Sequence, residues 1–77
     1  MADSESVRIY VWAPRSEVVF IQAVFDAHEG WGRVRTERHD ENDRSLLLFL
    51  TTPSQEKNVR DFLRQFASEC RGQIEFV

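Results

Sequence analysis

The chain is poor in covalent and conformational staples. It has one cysteine, Cys70, so no intrachain disulfide can form. A cytoplasmic location fits that count. Lysine is nearly missing: nine of the ten basic residues are arginine, which favours planar, bidentate pairing over point-charge contact. Positive charge is in deficit. The formal net charge is -3, which argues against non-specific nucleic-acid binding, because phosphate neutralisation dominates such affinity. No apolar run approaches the roughly 20 residues that span a bilayer. The opening MADSES is polar and acidic and lacks a signal-peptide pattern. Linkers, internal repeats and low-complexity segments are absent as well.

What is present is one small domain. The chain has 77 residues. Residues 1–5 are expected to form a frayed tail, and residues 6–77 a single folded unit. A domain of this size buries only ~60% of its unfolded surface, so its core is marginal and a partner would help it.

Hydrophobic periodicity divides that unit. In Ser6–Trp12, Val7, Ile9 and Val11 alternate with Arg8, Tyr10 and Trp12, which is the period of a strand ending near Ala13. Ser16 is placed to cap a helix that runs to about Glu29, with Gly30 beyond its end. Its apolar face, centred on Val18, Phe20, Ile21, Val24 and Phe25, is wider than a one-sided surface helix needs. A second apolar contact is therefore expected on this helix. Gly32–His39 reads as a strand with Val34 and Thr36 inward and Arg33, Arg35 and Glu37 outward. The polar loop DEND, 40–43, leads to the strand Arg44–Thr51. That strand contains LLLFL and is apolar on both faces, as a covered central strand would be. Thr52, Pro53 and Gln55 form a helix-start signature. Val59, Phe62, Leu63, Phe66 and Cys70 then make one stripe, with Glu56 and Arg60 paired across a turn. Gly72 ends this helix, and Gln73–Val77 is a last strand with Ile74 and Phe76 inward.

The order is β-α-β-β-α-β. With right-handed crossovers it predicts an α+β, ferredoxin-like sandwich: an antiparallel sheet of order 4-1-3-2 with both helices on one face. The uncovered face should carry Tyr10 and Trp12 beside one row of the third strand, either Leu47 and Phe49 or Leu46, Leu48 and Leu50. An apolar centre there is not normally left bare in a monomer. Tyr10, Trp12 and Phe49 are accordingly the expected interface residues.

Chemistry-bearing patterns are weak. Ile9-Tyr10-Val11 matches the start of an RNA-recognition strand, but RSLLLFLT lacks the glycine and the aromatic pair required of its partner. No nucleic-acid partner is expected. Arg33, Arg35 and Arg38 lie on an edge strand and can share a face with Arg8, so they are either an anion site or a solvated, self-paired charged edge. The loop at 39–43 fails the calcium-loop pattern at Ser45 and Thr51. His28, His39 and Cys70 have no metal-ligand spacing, so no metal or cofactor is expected. Acylphosphatase shares this topology, yet the turn WAPRSE offers Arg15 without a glycine cradle. No nucleophile–base set or carboxylate pair stands out, and the chain reads as non-catalytic. Trp31 between Gly30 and Gly32 is either a core cap or a ligand rim.

The run VVFIQAVFDAHEGWGRVRTERHD, residues 18–40, resembles the first helix and second strand of ACT-type regulatory domains. AVFDAHEGWGRVRT with LLLFL is similar to a family of short, stand-alone bacterial proteins of unknown function with an ACT-like fold. The resemblance covers about Ser6 to Val77. It implies pairing of two copies and a ligand, often an amino acid, beside the turn after the first strand. That turn is Ala13, Pro14, Arg15, Ser16, without the family's Asp and Gly. Arg15, Ser16 and Trp31 are the expected ligand-binding residues. The leading expectation is a self-associating, homodimeric binding or regulatory module. A protein-interaction adaptor and a sensor of an amino acid or anion are its alternatives, and an RNA binder is the last. No membrane partner is expected.

Overall fold

The computed structural model describes residues 7–40, 42–69 and 74–77. The elements are β1 (Val7–Pro14), a 3-10 turn (Arg15–Glu17), α1 (Val18–Asp26), β2 (Arg33–His39), β3 (Arg44–Thr51), α2 (Glu56–Glu69) and β4 (Glu75–Phe76). Their sheet is four-stranded and antiparallel, in the order β2-β3-β1-β4. Both helices send their apolar stripes to one face of it. Ile21 and Phe25 of α1 and Val59, Leu63 and Phe66 of α2 form one cluster with Ile9, Val11, Leu47, Phe49 and Ile74. This is the ferredoxin-like sandwich that the element order implies. The tail at 1–5, Glu41 of the hairpin loop, Cys70 and the helix stop at Gly72 lie outside the described residues.

The β1–β3 pairing decides which side of LLLFL is covered. Ile9 stands opposite Phe49 and Val11 opposite Leu47, so these pairs face the helices. Phe49 is fully buried, with its ring 5.0 Å from that of Phe25, edge to face. Phe49 is therefore a core residue and not an interface residue. The row on the uncovered face is Leu46, Leu48 and Leu50.

Local chemistry shifts three boundaries. Pro14 stays extended at the end of β1, and the chain turns through 3-10 geometry before α1, with no side-chain cap from Ser16. At the far end α1 stops at Asp26 instead of Glu29. The chain then reverses through Gly30 (φ 87°) and Gly32 (φ 126°). A Cβ at Gly32 would lie 1.8 Å from the carbonyl oxygen of Leu50, so only glycine lets β2 start against β3 here. The Thr52 hydroxyl meets Ser54 instead of capping the third residue onward, and α2 begins at Glu56 after a turn closed by Gln55 N–H on Thr52 C=O. The Glu56–Arg60 pair forms as expected, at 2.8 Å.

The larger departure is in β2. Thr36 stands opposite Leu47, but Arg38 stands opposite Leu46, so Glu37 is an extra residue in a β-bulge. Strict alternation would place Arg38 with Val34 and Thr36 toward the helices. The bulge returns it to the uncovered face.

Candidate functional site

The uncovered sheet face is built as three rungs. Each crosses β2, β3 and β1: Arg33–Leu50–Arg8, Arg35–Leu48–Tyr10 and Arg38–Leu46–Trp12. Arg44 and Pro14 close the ladder beyond Trp12. Arginines thus flank a leucine row, and two aromatics follow Arg8 along β1. Five of the chain's ten basic residues lie on this one face.

These long side chains cover the leucines. Leu48 is only 3% exposed although no helix lies over it. Leu46, Leu50, Tyr10 and Trp12 are each half-buried. Aliphatic stems of arginine and the flat sides of aromatics can shield apolar surface while their polar ends stay wet. The bare apolar centre expected from alternation is therefore not there, and the face by itself creates no demand for a cover.

Trp12 is the focus of the charged end. The guanidinium carbons of Arg44 and Arg38 lie 4.9 and 5.7 Å from its ring centroid, within cation–π range. Arg44 is held by the Asp40 carboxylate at 3.1 Å and by Glu75 at 2.8 Å. Asp40 also accepts the backbone N–H groups of Asn42 and Arg44, which fixes the hairpin turn, where Asp43 adopts φ 64°. Desolvation pushes the Asp40 carboxyl up. The two backbone donors and the Arg44 guanidinium outweigh it and hold the group below its ordinary value of 3.8. Arg44 is shifted up, chiefly by its hydrogen bond to Asp40, against desolvation and with help from Glu75. A shallow hollow of about 540 Å³ opens here, lined by Trp12, Arg38, His39 and Asp40.

Arg15, Ser16 and Trp31 do not form a common site. Arg15 and Ser16 sit beside the β2–β3 hairpin, where the Arg15 N–H donates to Asp43 C=O at 2.9 Å. Trp31 sits at the other end of the sheet, next to Gly32 and Leu50, with the length of α1 between. Its indole stacks on His28 at 3.9 Å and packs against Phe25 and Phe62. It caps the core. A ligand cannot touch all three residues at once.

The helix layer exposes what the sheet face hides. Val19 is 76% and Phe20 57% exposed on a nine-residue helix whose one charged side chain is Asp26. Phe20 leans on Phe66 of α2, ring centroids 5.7 Å apart. Together with Val24, Phe62, Gln65 and Glu69 they line a groove of about 200 Å³ between the helices. The width of the apolar face in the sequence pointed to this surface. Among the described residues no three His, Cys, Asp or Glu side chains gather as a metal site would. None of the described helices is long and apolar enough to cross a membrane.

Comparison with protein-family models, with curated proteins and with solved structures returns no match to this chain.

Proposed function

We propose that the chain is a non-catalytic binding module that works as a homodimer, its two copies joined through the exposed strip of α1. The observation that carries this reading is the exposure of Phe20 and Val19 on a short helix that is already apolar on its inner side. A two-fold interface needs one patch that complements itself. Here a projecting phenyl ring and an apolar groove share the patch, and positions 19, 20, 23 and 24 carry no charge to repel a second copy. The sheet face is the poorer candidate, because its arginine row would meet itself. The likeness to ACT-type domains, which pair through sheets or helices, supports pairing without choosing between the two faces. Tyr10 and Trp12 then lie outside the interface, free to contact a ligand.

Sedimentation equilibrium over a wide concentration range tests the reading. The expected result is a dimer at about 10 μM that Phe20→Glu converts to monomer and Trp12→Ala leaves intact. A wild-type chain that stays monomeric at high concentration would overturn the homodimer. A dimer lost in Trp12→Ala and kept in Phe20→Glu would move the interface to the sheet.

A further inference from the structure

The charge of the whole chain and the summed charge of the described residues on the sheet face have opposite signs. The chain carries -3, yet Arg8, Arg33, Arg35, Arg38 and Arg44 share the uncovered face with the acids Glu37, Asp40 and Glu75. Acids and bases that leave this face positive leave the rest of the molecule more negative than the total suggests. Glu37 engages Arg35, and Asp40 and Glu75 engage Arg44. Arg8 and Arg38 have no carboxylate partner among the described residues, and Arg38 rests on Trp12 instead.

The arrangement is a track. Arg33, Arg35 and, through the bulge, Arg38 form a line of cations on β2. Arg8, Tyr10 and Trp12 form a parallel line on β1, with one leucine of β3 between each pair. Neighbouring rungs are about 6.7 Å apart, two residues of strand rise, so a cation and a flat or charged group recur together along the face. We propose that this face binds single-stranded nucleic acid. Phosphates lie along the β2 arginines, and two successive bases stack on the rings of Tyr10 and Trp12. Backbone-tracking cations beside aromatic platforms are the means by which single strands are held without sequence readout. The hollow beside Trp12 gives the second base room. The guanidinium of Arg38, displaced from the indole by that base, becomes available to the adjacent phosphate. The acidic remainder of the molecule keeps affinity modest, and each phosphate that an arginine neutralises adds to its salt dependence. An acidic peptide would use the arginines but not the paired aromatics.

The test is fluorescence anisotropy of labelled rU and dT oligonucleotides of about eight nucleotides with the full chain at low salt, with Trp emission followed in parallel. Saturable binding that quenches Trp12 and weakens with salt is expected. Trp12→Ala and Arg38→Ala should each lose about tenfold in affinity, the latter with a shallower salt slope. Circular dichroism of each variant shows whether the fold is kept. Arg35→Lys, which retains charge, serves as a milder second variant and should weaken binding less than Arg38→Ala. Absence of binding at low salt would overturn the proposal. So would equal binding of a base-free polyanion such as inorganic polyphosphate or a poly-Glu peptide, because the aromatic line would then play no part. The outcome is independent of oligomeric state, since the track lies on the face opposite α1.

Discussion

The two layers of this sandwich treat apolar surface in opposite ways. On the sheet face, Leu48 is uncovered by any helix and still almost inaccessible, because arginine stems and the rings of Tyr10 and Trp12 lie around it. On the helix layer, Phe20 and Val19 have short or apolar neighbours along the helix, Ala23 and Val24, and remain open to water. Whether an apolar residue is exposed thus depends on the reach of the side chains beside it as much as on its own identity. A face that shields itself is suited to polar ligands, whereas one that cannot is suited to a partner.

The sharpest test of this contrast is Leu48→Ala. If the sheet face covers itself, the variant should lose about 2–5 kcal/mol of stability, the cost of a core truncation, in a urea titration. A loss of only a few tenths would show that the face is wet. Val19→Ala should behave in the opposite manner. Measured on dilute chain, its unfolding free energy should change by no more than about 0.5 kcal/mol, as for a surface change, while the dimer weakens. The smallest effect concerns the clamp that aligns Arg44 with Trp12. Asp40 is held below its ordinary carboxyl value, so its contribution to stability is present above pH 3.8. It disappears as pH falls through the still lower folded value. Asp40→Asn should lower the neutral plateau slightly and flatten the acid limb of the stability curve, measured by thermal melting from pH 7 to pH 2.

Much of the fold was legible in the sequence, because period-2 and helical stripes alternate cleanly and LLLFL can only be a central strand. The choice between its two rows was not. Both are apolar, and the answer rests on the Ile9–Phe49 register, a long-range pairing that alternation within one strand does not contain. The element order puts Arg38 on an edge strand, but its face depends on the bulge at Glu37, which appears only when β2 meets β3. Arg15 and Ser16 come from the likeness to a ligand-binding turn and Trp31 from its place between two glycines, and the length of α1 separates them. The wide apolar girth of α1 was the sequence signal that pointed to the exposed patch.

The bulge in β2 also bears on how the chain escapes aggregation. LLLFL has the composition of an amyloid-forming segment: β-prone, uncharged and without proline. In the folded chain it is enclosed between β1 and β2, and the two border strands are the seven-residue β2 and the two-residue β4, so the long edge presented to other molecules is β2. A flat β2 would offer its free backbone groups as a template for stray strands. With Glu37 inserted, that edge is kinked and more strongly twisted, and it carries arginine on either side of the kink. One inserted residue therefore makes the molecule's border a poor seed for fibrils while its most fibril-prone strand stays inside.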